Sequence, residues 1–287
     1  MQDLYEQYKR LLFTLAYQMT GSASDAEDVV QDVFLKLYDV NPERLVEPKA
    51  YLCKMVTNRC LDVLKSARKR REQYFGPWLP EPIRTSEDDS FESVVRGELL
   101  SYAMLVLLDR LSPAERAVFV LREALCFEYP MIAELVGKSE ANCRKLISRA
   151  RGKMGISPDE PIHAEAASEE WVGRFLSALE QGNVDTVISL LGEDVVLVSD
   201  GGGKVSAAAH PIETRDHVVR FLLGVIRKAR QDEEGLQVEI AQVNGQTGLV
   251  IRSEGGILTI VLLHVEKNLI QNLYFVRNPD KLTLFHE

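Results

Sequence analysis

The feature that excludes most folds for this chain is a change of periodicity at "ISPDEP", residues 156–161. Before it, apolar residues recur every three to four positions, the spacing of amphipathic helices. The first such stretch, "LYEQYKRLLFTLAYQMTG", places Leu4, Tyr8, Leu11, Leu12, Leu15, Ala16 and Met19 on one face, and Gly21 stops it. "SDAEDVVQDVFLKLY" follows, where Ser24 and Glu27 fit a capping box. "KAYLCKMVTNRCLDVLKSARKRR" is a third long helix, and helices resume near residue 94. After residue 161 two more helices lead into "DVVLVSDGGGKVSAAA", which reads as a strand, a glycine turn and a second strand. A helix and four β-patterned runs close the chain: "LQVEIAQV", "TGLVIRSE", "ILTIVLLHVE" and "LIQNLYFV". A chain so divided cannot be one uniform bundle or sandwich. It is multidomain: all-α modules followed by an α+β domain with a curled sheet.

The charge is divided at the same place. Residues 1–155 hold 23 basic and 23 acidic side chains, whereas residues 156–287 hold 11 and 20, the whole net charge of −9. The acidic half is a poor nucleic-acid ligand. The neutral half hides two basic patches. Residues 54–71 carry seven basic groups against Asp62, and residues 138–153 carry six against Glu140. Clusters of that kind neutralise phosphates.

The second patch lies on the most specific motif. "SPAE" is a strong helix start, "FEYPMIAELVG" a short helix ended by Gly137, and "SEANCRKLISRARGKM" an amphipathic helix capped by Ser139. Two short helices joined by a glycine turn make a helix-turn-helix, whose second helix enters the major groove. Cys143, Leu146, Ile147 and Ala150 form its inner face. Glu140, Asn142, Arg144, Lys145, Ser148 and Arg149 point outward, where Arg reads guanine and Asn reads adenine. The competing reading is a solvated basic face on a plain helical hairpin.

On the 49–71 helix, Lys54, Asn58, Arg59, Asp62 and Lys65 fall roughly on one side, suited to base edges or to an opened strand, or simply to solvent. On the helix before it, Asp28, Gln31 and Asp32 line an acidic face, a docking surface for a basic partner or a solvated one. Cys53, Cys60, Cys126 and Cys143 show neither metal-ligand pairing nor zinc-finger spacing and read as small buried hydrophobes. No metal or cofactor is expected. The N-terminus lacks a signal-peptide core, and no apolar run approaches the roughly 18 residues of a membrane span. The cytoplasm is the expected compartment.

Between the basic helix and the helix-turn-helix stands "YFGPWLPEP", residues 74–82. Pro77, Pro80 and Pro82 exclude helix and central strand. A proline-stiffened spacer accounts for them but not for Trp78 and Leu79, which suit an anchor in a pocket.

In order and spacing, "DAEDVVQDVFLKLY", "AYLCKMVTNRCLDVLKSARKRR" and "LSPAERAVFVLREALCFEYPMIAELVGKSEANCRKLISRARGKM" resemble a group IV (extracytoplasmic-function) RNA polymerase sigma factor over residues 1–155. The resemblance implies two all-α sigma domains, helical region 2 (1–73) and helix-turn-helix region 4 (97–155), with a linker at 74–96. It implies contact with the core polymerase clamp and flap, the clamp through Asp28, Gln31, Asp32 and Leu35. It gives recognition and melting of the −10 element to Lys54, Asn58, Arg59, Asp62 and Lys65, and −35 reading to the helix-turn-helix. The loop 39–48 lies where the family captures an unpaired base. Beyond a linker at 156–166, residues 167–287 are similar to SnoaL-like cone domains. "WLPEP" (78–82), "DGGGK" (200–204) and "NPDKL" (278–282) look like signatures of a sigma subgroup carrying such a domain. Trp78, Leu79, Pro80, Asp200, Gly201, Gly202, Gly203, Lys204, Asn278, Pro279 and Asp280 are the expected interdomain, regulatory residues.

Two other functions compete with a self-regulated sigma factor. One is a ligand-responsive DNA-binding regulator, which leaves the acidic helix unused. The other is a tethered enzyme with Asp200, His210, His264 and Tyr274 as acid/base candidates, although no spacing pairs them. A small ligand for the cone is left open, and "DGGGK" lacks the phosphate-cradling pattern.

Overall fold

The computed structural model describes residues 2–37, 47–71, 73–85, 100–157, 167–231 and 236–285. They form two compact units that are discontinuous in sequence. One comprises 1–72, 88–100 and 104–162; the other comprises 73–87, 101–103 and 163–287.

In the first unit, α1 (Gln2–Thr20), α2 (Ala23–Leu37) and α3 (Pro48–Arg71) pack together around Leu12, Leu15, Met19, Val29, Val33, Leu52 and Val56, all buried. Gly21, at φ 71°, ends α1. The cap of α2 is Ser22, whose hydroxyl accepts from the Asp25 amide at 3.2 Å, rather than the expected Ser24. Gly21 ends α1 so abruptly that the first helical turn begins two residues earlier than the acidic pattern implies.

After α4 (Tyr102–Leu107), Ser112 and Glu115 form a full capping box on α5 (Pro113–Phe119). The run "AERAVFVLREAL" reads in sequence as one helix, but after Phe119 it widens into a π-helical segment, Val120–Ala124. Cys126 follows at φ 54° and is exposed, whereas Cys53, Cys60 and Cys143 are buried as expected. Burial pushes the Cys60 thiol well above the ordinary range. Next come α6 (Tyr129–Val136), closed by left-handed Gly137, and α7 (Glu140–Met154), capped by Ser139.

The second unit holds α8 (Glu169–Gln181), α9 (Val184–Leu190) and α10 (Arg215–Gln231). Its sheet has the order β2-β1-β6-β5-β4-β3, with β1 (Leu191–Asp200), β2 (Ile212–Glu213), β3 (Gln237–Val243), β4 (Gln246–Ser253), β5 (Gly256–Glu266) and β6 (Leu269–Val276). β3 to β6 are an antiparallel meander, and β1 pairs in parallel with β6. This is the expected α+β domain. The core between helices and sheet includes Phe175, Val187, Leu197, Val218, Val261, Leu263 and Phe275.

The strand expected at "VSAAA" is absent: after Gly201 the chain turns, and only Ile212–Glu213 pairs with β1. Two left-handed glycines break the extension, and the backbone beyond them has other partners. The Val205 carbonyl abuts Gly201, and the Ser206 carbonyl accepts from the Arg277 guanidinium.

Candidate nucleic-acid interface and linker lock

In the first unit, α2 exposes Asp28 and Gln31, half-exposes Asp32, and leaves Leu35 61% exposed. An exposed leucine beside acids is unusual for a solvated face. It borders a groove of about 820 Å3, lined by Tyr5, Lys9 and Phe13 of α1 with Val30, Gln31 and Phe34 of α2. The α1 residues were missed in the sequence because helical spacing assigns Tyr5 and Phe13 to no second face. The Tyr5 ring meets Phe34 edge-on at 4.9 Å.

On α3, Asn58, Asp62 and Lys65 are exposed. The Arg59 Nε donates to Asp32 Oδ2 at 2.8 Å, so two residues expected to serve different partners hold each other here. Lys65 donates to Asp62 at 2.9 Å, and this hydrogen bond holds the Asp62 carboxyl below its usual range. Lys54 lies 3.8 Å from Glu134 of α6, because α3 packs against α5 and α6 within this unit. Residues 39–46 of the expected base-capture loop, 39–48, lie outside the described residues.

On α7 the division of faces follows the helical spacing. Cys143, Leu146, Ile147 and Ala150 are buried, and Glu140, Asn142, Arg144, Lys145, Ser148 and Arg149 are exposed. The Ser139 hydroxyl accepts from the Asn142 amide, which starts the helix squarely at Glu140.

In the second unit the proline segment is a strap on the sheet face opposite the helices. Asp200, at the end of β1, is fully buried. Its Oδ1 accepts from the Tyr74 hydroxyl at 2.6 Å and the Gly202 amide at 3.0 Å. Its Oδ2 accepts from the Leu79 amide at 2.9 Å and the Lys281 ammonium at 2.7 Å. Lys281 also donates to the Leu79 carbonyl, and its Nζ lies 4.2 Å from the Trp78 ring centroid and 5.1 Å from that of Tyr74. A carboxylate with four donors and an ammonium between two rings is a satisfied buried pair. Burial, then the bond to Asp200, push the Tyr74 phenol upward, so it remains a neutral donor. Leu79 is the fully buried anchor, while Trp78 is half-buried.

Further along the strap, Arg84 bridges Val243. The Ile83 carbonyl accepts from the Asn244 amide at 2.9 Å, and the Thr85 hydroxyl from Gly245 at 2.9 Å. The strap therefore adds to the β3–β4 hairpin at its turn. The Tyr102 hydroxyl donates to the Pro80 carbonyl at 2.6 Å, and the Tyr102 amide to Gln246 at 3.2 Å. No spacing rule could have found Tyr102 or Lys281, whose partners are 22 and 202 residues away.

The glycine turn is shaped by close approach. A Cβ on Gly202, at φ +59°, would lie 2.4 Å from Asn278 Nδ2, and one on Gly201 would lie 2.5 Å from the Val205 carbonyl. Asn278 in turn donates to the Tyr74 hydroxyl at 2.8 Å. Lys204 and Asp280 make an exposed ion pair at 2.6 Å across the same turn. Gly202→Ala is expected to lower the thermal stability of this unit by about 1–3 kcal/mol, checked by calorimetry.

The acid/base candidates do not converge. His210 is exposed in the loop before β2. His264 and Tyr274 lie on the strap side of the sheet, and the Tyr274 ring meets that of Tyr102 at a 59° tilt, 5.5 Å between centroids. Burial lowers the His264 pKa, and all four Asp200 contacts are structural. Among the described residues no group of three or more His, Cys, Asp or Glu could hold a metal ion, and no helix is long and apolar enough to cross a membrane.

Residues 4–70 match the model of sigma-70 region 2, and residues 101–154 that of sigma-70 region 4. The ECF RNA polymerase sigma factor SigJ of Mycobacterium tuberculosis is 35% identical over 294 residues, covering 97% of this chain and 92% of its own. The probable ECF sigma factor SigI of the same species is 34% identical over 187 residues, 64% of each chain. The crystal structure of M. tuberculosis SigJ aligns with a TM-score of 0.81 at 33% identity, covering 99% of this chain and 98% of that one.

Proposed function

Because the chain belongs to the extracytoplasmic-function RNA polymerase sigma factors, which direct core polymerase to specific promoters, we propose that its SnoaL-like domain controls initiation by holding both ends of the linker between regions 2 and 4. The observation that carries this reading is the Tyr102–Pro80 bond, with both residues in the C-terminal unit. It closes a loop of 22 residues that would otherwise reach roughly 75 Å at ~3.4 Å per residue. Elements centred near −10 and −35 are about 25 base pairs apart, roughly 85 Å along B-DNA at ~3.4 Å per pair. Regions 2 and 4 packed through α3, α5 and α6 cannot occupy both. Initiation then requires the linker to leave the sheet and the α3 contacts to open.

In this reading α2 and its groove dock on the polymerase clamp through Asp28, Gln31, Asp32 and Leu35. Opening frees Lys54 from Glu134 for the −10 strand, beside Asn58, Arg59, Asp62 and Lys65. The α7 face reads the −35 element. The cone acts as a regulatory fold without catalysis, and the protein works in the cytoplasm, where polymerase and DNA are.

Tyr102→Phe keeps the ring against Tyr274 and removes the bond to Pro80. Losing about 1 kcal/mol should raise promoter-specific transcription with core polymerase about fivefold. Unchanged or lower output defeats the control mechanism. Failure of the native chain to start transcription with core polymerase on any promoter defeats the wider reading.

A further inference from the structure

Arg144 stands apart on the exposed face of α7, because its guanidinium is already held. Its carbon lies 4.0 Å from the ring centroid of Tyr129, the first residue of α6. The Arg122 guanidinium, from the π-helical segment, lies 4.9 Å from the same centroid. Arg122 is itself fixed: its Nη1 donates to the Phe127 carbonyl at 2.9 Å and sits 3.1 Å from Glu128 Oε1. The widened turn at 120–124 thus has a local consequence. It lets Arg122 reach back over the start of α6 and brace the ring that Arg144 stacks on. Glu140, one turn back on α7, lies 3.9 Å from Arg144 and supports it weakly. Lys145 and Arg149 have no comparable ring or ion pair among the described residues.

Stacking occupies the flat face of a guanidinium and leaves its N–H donors free at the edge. Those donors are what a bidentate contact to guanine O6 and N7 requires. An arginine fixed beforehand also loses less side-chain freedom on binding. Arg144 remains 60% exposed at its side chain, so the held edge is accessible.

We propose that Tyr129 is the positioning residue for Arg144, fixing its guanidinium to read one guanine of the −35 element and so setting specificity at that single base pair. This rests on the reading that α7 enters the −35 major groove. Tyr129 itself touches no base. Its hydroxyl is dispensable, since the ring face does the holding.

The test uses holoenzyme assembled from core polymerase and the full chain, transcribing a promoter set in which each −35 base pair is varied in turn. Arg144→Ala should abolish preference for guanine at one position. Tyr129→Leu and Tyr129→Met should weaken preference at that same position about 3- to 5-fold, the scale of an exposed cation–π contact, and leave the other positions unchanged. Tyr129→Phe should retain it. In the Arg144→Ala background, Tyr129→Leu should change nothing further at that position, a coupling that a merely structural tyrosine would not produce. Equal weakening at every position, or full preference in both Tyr129 variants, overturns the proposal. If Arg144→Ala leaves every preference intact while promoter-specific initiation continues, the assignment of Arg144 to base reading fails instead.

Discussion

Asp200→Ala is expected to lower the stability of the C-terminal unit by about 3–5 kcal/mol, the range for breaking a buried ion pair from one side. The carboxylate is fully buried and receives four donors. Removing it leaves the Lys281 ammonium, whose side chain is 11% exposed, without its counter-charge, and strands the Leu79 amide and the Tyr74 hydroxyl. Those are the largest penalties a single substitution can produce here, since charge and polar groups lose partners together. Lys281→Met in the Asp200→Ala background should recover part of the loss, because an uncharged side chain no longer requires the partner. Urea unfolding followed by tryptophan fluorescence checks both variants, with the Trp78 ring directly over the Lys281 ammonium. An unchanged midpoint for Asp200→Ala would show that the pair does not hold the strap. The same variant should release the linker and raise promoter-specific transcription by more than Tyr102→Phe does.

Arg116→Met should destabilise the sigma unit by about 2–4 kcal/mol. Arg116 is 3% exposed, on the helix that "SPAE" starts. Its Nε donates to the Leu108 carbonyl at 3.1 Å and its Nη1 to the Met19 carbonyl at 2.9 Å, while Asp109 lies 3.7 Å away. It therefore joins the end of α1 to the approach to α5. Methionine fills the volume but takes one donor from the Met19 carbonyl and one from the Leu108 carbonyl, which keeps only the Leu111 amide. Arg116→Lys should recover little, since one ammonium does not reproduce the fork. Equilibrium unfolding of the full chain measures both. Equal stability of Arg116→Met and the native protein would reduce this arginine to a solvated one.

The helices of the sigma half were legible because each carries its own local signals: Ser112 with Glu115, Ser139, and the glycines at 21 and 137. The outward face of α7 was legible for the same reason, since period alone separates Cys143 and Leu146 from Arg144 and Lys145. Where a local signal had a rival, sequence reading failed. Ser22 displaced Ser24 as cap, the π turn interrupted a helix that spacing makes continuous, and "VSAAA" gave up its strand. For "VSAAA" the reason is a partner 71 positions away, the Arg277 guanidinium on the Ser206 carbonyl, which a one-dimensional pattern does not contain.

The amino-acid sequence by itself determined the family, the helical and α+β halves, the charge segregation and the exposed faces. All follow from period, capping and composition along the chain, with quoted motifs carrying the resemblance. Only the tertiary structure decided that Leu79 rather than Trp78 is the buried anchor, that Lys281 is the partner of Asp200, that Arg59 is paired with Asp32, and that Tyr102 closes the linker on Pro80. The pairs among these join residues 22 to 81 positions apart. Around the sheet, buried donors and charges must find partners, and in the helical unit α2 and α3 bring Arg59 to Asp32; which partners are within reach depends on the fold.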